Sequence, residues 1–141
     1  MINKKYSDEI LSICEYAGIP DQLSKLIACQ GALESQNFTS HVFVTDNNAY
    51  GYKYVKGAHL QAGEGLKSTE TDHYAHYSIW ENSALEIVLW IKRRKKEGKF
   101  PADLNEIKTP EDYAHYLKAC GYFGGKEADY ANDLAYYLKT I

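Results

Sequence analysis

The chain has 141 residues, of which 45% are hydrophobic and 25% are charged, and this balance predicts one globular domain over residues 1–141. The formal net charge of −3 argues against a nucleic-acid-binding protein. No apolar run reaches the roughly 18 residues of a transmembrane helix, and the N-terminal segment MINKKYSDEILS lacks the apolar core of a signal peptide. We therefore expect synthesis in the cytoplasm and no membrane span.

Two helices are predicted near the N-terminus. The first covers Ser7–Tyr16 and ends before Pro20. The second begins near Pro20, and its apolar residues, spaced three and four apart, lead to Glu34. Gly31 lies inside this second helix, where glycine costs roughly 1 kcal/mol relative to alanine. Its presence indicates close approach of another element or of a ligand.

Regular helix signals fade between Ser35 and about Ser78. The segment HVFVT, residues 41–45, predicts a short strand or an extended turn. GAHLQAGEGLKST, residues 57–69, is typical of a loop or a small hairpin, and HYAHYSIW, residues 73–80, alternates like an edge strand. A short irregular or β-containing lobe is therefore expected after the second helix.

Three further helices complete the prediction. The third begins around residues 81–83 and contains ALEIVLWI, which is apolar nearly all round and favours a central position. It ends in the basic run KRRKK, residues 92–96. The fourth has Thr109 as its N-cap and Pro110 as its first residue, and the last runs from about Lys126 to Thr140. The expected fold is mainly α, of the α+β class, with about five helices.

Glu34 is the first candidate for chemistry. Leu23, Ile27 and Gln30 precede it on the same helix face, and it lies near the negative end of the helix dipole. Burial and the dipole both disfavour a carboxylate, so both would raise the pKa of Glu34 and suit it to act as a general acid. A solvated glutamate at a helix end is the alternative on spacing alone.

A longer motif surrounds this residue. The segment LIACQGALESQNFTSHVFVTDNNAYGYK contains Ala-Leu-Glu-Ser at residues 32–35, Asn-Asn at 47–48, Tyr-Gly at 50–51 and a lysine at 53. It resembles the glucosaminidase family, the peptidoglycan N-acetylglucosaminidases of glycoside hydrolase family 73. HYAHYSIWENSALEIVLW and the closing stretch EDYAHYLKACGYFGGKEADYANDLAYYL are similar to later segments of that family. The resemblance covers the chain from about residue 7 to its end.

This resemblance implies a lysozyme-like α-domain with a short β-lobe across a cleft, in which Glu34 is the catalytic acid. Many relatives carry a second acid in the lobe, and the candidates here are Glu70 and Glu64, with Asp72 nearby. Such a group would activate water or act as nucleophile. Alternatively, the 2-acetamido group of the substrate would attack, and the protein would only orient it.

Substrate contacts are expected from amides and aromatic rings, since the chain has 13 tyrosines and a tyrosine offers both a ring and a hydroxyl. The candidates are Asn48, Tyr50, Gly51, Tyr52, Tyr77 and Trp80. The asparagine amides would bind N-acetyl groups or, alternatively, hold a tight turn. His73 and His76 lack a clear third ligand, so neither a metal nor another cofactor is expected.

The predicted function is that of a peptidoglycan hydrolase, an endo-β-N-acetylglucosaminidase that acts as a monomer on glycan strands. It would reach the cell wall after lysis, by phage delivery or by a dedicated secretion apparatus. The alternatives are a muramidase or lytic transglycosylase, and a non-catalytic wall-binding or phage structural module. The basic run at residues 92–96 would either attract the anionic wall or serve as a solvated helix end.

Overall fold

The computed structural model describes all residues from 1 to 141. Its elements are α1 (Lys4–Tyr16), α2 (Asp21–Glu34), α3 (His41–Asp46), β1 (Gly63–Lys67), β2 (His73–His76), α4 (Trp80–Lys96), α5 (Pro110–Ala119) and α6 (Glu127–Leu138), with one turn of 3-10 helix at Leu104–Glu106 before α5. The mainly α-helical fold with a small β-lobe is the predicted one. None of the helices is both long and apolar enough to cross a bilayer.

Helix α2 lies at the centre of the helical core. Leu23, Leu26 and Ile27 are fully buried, and the helix packs against α1 on one side and α6 on another. Its Gly31 is contacted by Tyr50: a Cβ at residue 31 would lie 2.9 Å from the tyrosine hydroxyl. The close approach expected at this glycine is therefore made by a side chain of the protein itself.

Helix α4 is less central than its sequence predicts. Ala84, Ile87, Val88 and Ile91 are buried on one side, whereas Leu89 is 36% exposed. An all-round apolar segment therefore still leaves one face at the surface, and the expectation of a central α4 is wrong. The start of α5 is as predicted, because Thr109 accepts a hydrogen bond from the amide of Asp112 and completes a capping box.

The segment HVFVT forms the short helix α3, so the prediction of a strand or an extended turn is wrong. Ser40 caps its first turn by accepting a hydrogen bond from the amide of Phe43 at 3.2 Å. Asn47 ends it in the left-handed conformation, at a φ of 54°. Phe43 is buried against Tyr6 and Phe38. Capping and this aromatic packing outweigh the strand preference of the β-branched residues.

Strands β1 and β2 form one antiparallel hairpin, with an irregular register between Glu64 and Lys67. Asp46, the last residue of α3, secures it. One carboxylate oxygen of Asp46 accepts a hydrogen bond from the amide of Leu66 at 2.9 Å, and the other lies 3.0 Å from Nδ1 of His76. The hairpin therefore docks on the helical part through a buried carboxylate.

Candidate active site

Glu34 is the last residue of α2 and lies in the wall of a cavity of about 670 Å³. Its side chain is partly buried, and Oε2 accepts a hydrogen bond of 2.9 Å from the hydroxyl of Tyr130 on α6. Burial raises the pKa of the Glu34 carboxyl, and the hydrogen bond from Tyr130 offsets part of that rise. The carboxyl thus retains its proton to a higher pH than an ordinary glutamate, as a general acid requires.

The chain turns sharply after Glu34. The hydroxyl of Ser35 donates to the carbonyl of Gly31 at 2.6 Å and accepts from the amide of Phe38 at 2.8 Å. In this turn, Gln36, Asn37 and Phe38 all adopt left-handed backbone conformations, with φ of 52°, 57° and 64°. Such conformations cost roughly 1–2 kcal/mol per non-glycine residue. Strain of this kind is typical of functional sites, where the surrounding structure enforces it.

Aromatic rings form much of the cavity wall. Tyr52, Tyr74, Trp90 and Tyr122 all line it. The rings of Trp90 and Tyr122 lie 5.6 Å apart, and those of Tyr52 and Tyr122 lie 6.4 Å apart at nearly a right angle. Lys53 places its ammonium group 4.4 Å from the centre of the Tyr74 ring. Flat apolar rings beside polar groups suit a sugar, which has C–H faces and hydroxyl edges.

Four of the predicted substrate-binding residues line this cavity, namely Asn48, Tyr50, Gly51 and Tyr52. The amide of Asn48, however, is fully used by the backbone. Its Nδ2 donates to the carbonyls of Tyr52 and Ala75 at 2.9 and 3.0 Å, and its Oδ1 accepts from the amide of Tyr52 at 3.2 Å. This geometry favours the structural alternative for Asn48, in which the side chain holds the turn.

Tyr50 and Gly51 also shape the wall through the backbone. The hydroxyl of Tyr50 is turned inward and donates to the carbonyl of Ile27 at 3.0 Å. Gly51 has a φ of 71°, which glycine adopts without strain. Tyr52 differs, because its hydroxyl is buried and has no hydrogen-bond partner within the protein. Among these four residues, Tyr52 is the one with an unused polar group.

Tyr77 and Trp80 do not line the cavity. Tyr77 is fully buried, and its hydroxyl donates to a carboxylate oxygen of Glu86. Trp80 packs edge-on against Tyr6, with ring centres 5.1 Å apart, and also contacts Phe43. This placement corrects the expectation that both rings face the substrate and argues for structural roles.

The predicted second acids lie on the hairpin rather than beside Glu34. Glu64 is exposed on β1, with Oε2 at 3.8 Å from Nε2 of His73. Glu70 and Asp72 are exposed in the turn between the strands. Glu34 is the one acidic residue that lines the cavity. His73 and His76 take separate partners, the carbonyl of Gly65 and the carboxylate of Asp46.

Sequence reasoning did not identify Tyr130, Tyr74 or Trp90 as site residues. Tyr130 is 96 positions from Glu34 in the chain, and its stacking on Phe123, with ring centres 4.0 Å apart, fixes its ring. The one available signal was its place on the inward face of α6, where a tyrosine hydroxyl needs a partner.

Comparison with known protein families identifies one match. Residues 4–141 match the sequence profile of the glucosaminidase family, described as mannosyl-glycoprotein endo-beta-N-acetylglucosaminidase. No curated protein sequence matches the chain.

Several solved structures share the fold. The glycoside hydrolase domain of FlgJ from Salmonella typhimurium is 20% identical, with a TM-score of 0.66 over 99% of this chain and 88% of that one. The catalytic domain of the autolysin Auto from Listeria monocytogenes is 16% identical, with a TM-score of 0.61 over 97% and 80%. A chain of a type VI secretion system effector–immunity complex from Pseudomonas protegens is 18% identical, with a TM-score of 0.65 over 97% and 88%. The match over residues 4–141 shows that this chain belongs to the glucosaminidase family.

Proposed function

We propose that the protein is a peptidoglycan hydrolase, an endo-β-N-acetylglucosaminidase that cleaves β-1,4 glycosidic bonds with Glu34 as general acid. The observation that carries this proposal is the placement of Glu34, whose partly buried carboxyl lies in the wall of an aromatic cavity and has a raised pKa. The family match supports the reaction class. The descriptions of two similar structures, a glycoside hydrolase domain and an autolysin, support it further.

In the proposed reaction, the Glu34 carboxyl donates its proton to the bridging oxygen as the bond to the anomeric carbon breaks. The hydroxyl of Tyr130 then donates a hydrogen bond to the carboxylate that forms on Glu34. Because Tyr52 and Trp90 present rings to the same cavity, they are proposed to hold sugar faces next to the acid.

The second chemical role has three proposed candidates. Glu70 or Glu64 would act if the hairpin closed over the substrate and brought either carboxylate toward the cavity. Since neither lines the cavity, attack by the substrate's own acetamido oxygen on the anomeric carbon is the better supported course. This attack closes a ring between the acetamido group and the anomeric carbon. Water would then attack the anomeric carbon, open that ring and release the sugar with its acetamido group intact.

Mass spectrometry of digested peptidoglycan tests the proposal. The wild-type protein is expected to release fragments that end in reducing N-acetylglucosamine. Glu34→Gln should lower the rate by about 10²–10⁴-fold, the usual contribution of a general acid, with the fold retained because glutamine still accepts from Tyr130. Glu64→Gln and Glu70→Gln are the matched controls, and a comparable loss in either would identify it as the second acid.

Other products would support the competing functions. Reducing N-acetylmuramic acid, or its anhydro form, would show a muramidase or a lytic transglycosylase. Binding to insoluble peptidoglycan without soluble fragments would show a non-catalytic module. Full activity of the Glu34→Gln variant would refute the assignment of the acid.

Delivery to the wall by lysis, by a phage or by a secretion apparatus is also part of the proposal. Similarity to a chain of a type VI secretion system effector–immunity complex supports the last of these routes. Lysis of cells that express the protein inside, compared with cells treated from outside, distinguishes the routes.

A further inference from the structure

A second cavity, of about 550 Å³, lies between the end of α1, the last turns of α4 and the segment before the 3-10 helix. Ile19 and Leu104, both buried, contribute to its apolar surface, together with Ala17 and Ala102. Its charged residues are three exposed lysines of α4: Lys92, Lys95 and Lys96. The cavity therefore combines aliphatic surface with positive charge, and it contains no acidic residue.

The geometry of α4 separates these lysines from the other cations of the basic run. An α-helix advances about 100° per residue, so Lys92, Lys95 and Lys96 fall within an arc of about 100° and lie roughly opposite Trp90. Trp90 lines the candidate active site. Arg94 lies on the Trp90 side, with its guanidinium 5.7 Å from the indole ring and 2.7 Å from Glu97. The two cavities thus lie on opposite sides of one helix.

The positive charge in the second cavity is only partly compensated. Lys92 donates to the carbonyl of Ala17 at 2.6 Å, which fixes its ammonium group at the cavity. Lys95 and Lys96 form no salt bridge. Asp103 is the nearby acid: hydrogen bonds from Asn105 lower its pKa most, and the charge of Lys95 adds to that effect. Since the whole chain has a net charge of −3, this positive concavity is a local feature that attracts anions.

We propose that this second cavity binds an anionic polymer of repeated phosphodiesters on an aliphatic polyol backbone. Lysine is an established phosphate-binding residue in proteins, because its ammonium group acts as a compact point charge. The aliphatic surface of this cavity, formed mainly by Ala17 and Ala102, fits the C–H groups of a polyol. No aromatic side chain lines this cavity, so it offers nothing on which nucleic-acid bases could stack.

The cavity volume also fits an extended ligand. The volume falls within the roughly 300–1,000 Å³ of typical ligand sites. The cavity is therefore larger than a single phosphate group. Binding of such a polymer would hold the protein on a surface that carries it and leave the aromatic cavity on the other side of α4 free. The inference does not depend on hydrolysis, because none of its residues lines the candidate active site.

Direct binding of a fluorescent glycerol-phosphate oligomer tests the site. Replacing Lys92, Lys95 and Lys96 with glutamine should weaken binding by about tenfold or more, since three charges near the phosphates are lost. The matched control replaces Lys56, Lys67 and Lys126, three exposed lysines outside both cavities, and changes the net charge equally. Glu34→Gln should bind like the wild type, so loss of hydrolysis and loss of polymer binding are separate results.

A second variant distinguishes a loss of binding from a loss of folding. Lys95→Gln with Lys96→Gln retains the hydrogen bond from Lys92 to Ala17, and its affinity should still fall relative to a Lys56→Gln, Lys67→Gln control. Equal affinity of the two triple variants would overturn the proposal. Equally tight binding of polyglutamate would overturn the phosphate assignment, and tighter binding of a single-stranded oligonucleotide would overturn the choice of polymer.

Discussion

The helical part of the molecule and its β-hairpin are held in different ways. The helices share one apolar core cluster, which includes Leu23, Leu26 and Ile27 of α2. No residue of β1 or β2 belongs to that cluster. The hairpin is instead attached by polar contacts of Asp46 and of Asn48 with its backbone and with His76. One part is stabilised by burial of apolar surface, and the other by a few hydrogen bonds.

This difference matters because the candidate active site has walls from both parts. Glu34 and Trp90 belong to the helices, whereas Tyr74 lies on β2 and Lys53 pairs with it in an isolated β-bridge. Segments with few buried apolar contacts open locally at lower free energy than a core does. We therefore expect the proton donor to be fixed and the opposite wall to be adjustable. Three substitutions test this contrast.

The largest expected effect on stability comes from Leu26→Ala. Leu26 is fully buried in α2, so the truncation should lower the free energy of unfolding by about 2–5 kcal/mol. Chemical denaturation measures this change, and hydrogen exchange should become faster throughout the helices. Leu89→Ala is the matched control, because Leu89 is 36% exposed and its truncation leaves little cavity. Equal effects of the two variants would contradict the proposed central role of α2.

Gly65→Ala should release the hairpin and leave the helices folded. A Cβ at residue 65 would lie 2.4 Å from Cγ of Asp46 and would force this carboxylate off its partners. Displacing a buried acceptor costs about 1–3 kcal/mol. Here this loss weakens the attachment of the hairpin to the helical part. Amides of β1 and β2 should exchange faster while those of α2 stay protected, and hydrolysis should slow.

Gly63→Ala is the control for this prediction. It lies on the same strand, and an added Cβ there would meet no atom within 4 Å. If Gly65→Ala lowered protection in α2 as much as in the hairpin, the two parts would unfold as one unit and the contrast between them would be lost.

The smallest effect is a shift in the pH profile of Tyr130→Phe. The Tyr130 hydroxyl bonds the Glu34 carboxylate and so lowers the pKa of Glu34, against the larger rise caused by burial. Its removal should raise that pKa further and move the alkaline limb of the rate profile to higher pH. The ring and its stacking on Phe123 remain. Tyr136→Phe, at a 58% exposed site on α6, should leave the profile unchanged, and a shift toward lower pH in Tyr130→Phe would contradict the assignment.

The same pKa has a consequence for stability. A carboxyl whose folded pKa is raised favours the folded state most fully below its unfolded pKa, and this contribution is lost as pH rises through the folded pKa. The melting temperature of the wild type should therefore fall relative to that of Glu34→Gln as pH rises from the unfolded pKa through the folded pKa of Glu34. Parallel melting curves would show that Glu34 is solvated in the folded protein.

Much of the helical part could be predicted from sequence, because local signals specify it. The apolar spacing of α2 placed Glu34 at its end, and Thr109 with Pro110 marked the start of α5. α3 was missed because β-branched residues suggested a strand, whereas its conformation depends on the Ser40 cap and on distant aromatic rings.

The candidate site was only partly predictable for a similar reason. The motif around Glu34 predicts the cavity-lining residues Asn48, Tyr50, Gly51 and Tyr52, but it does not say which way a side chain points. Tyr77 matched the motif and is nevertheless buried against Glu86. Tyr130 comes to Glu34 from another helix, through packing that no local pattern encodes.

The left-handed turn at residues 36–38 has a consequence for engineering. Glycine adopts this conformation without steric strain, so Gln36→Gly should relieve part of the cost that a side chain imposes there. The same replacement would loosen the link between Glu34 and the cavity-lining Gln36 and Ser40. A thermostabilisation screen of this protein should therefore recover variants at residue 36 that tolerate heat better and turn over substrate more slowly.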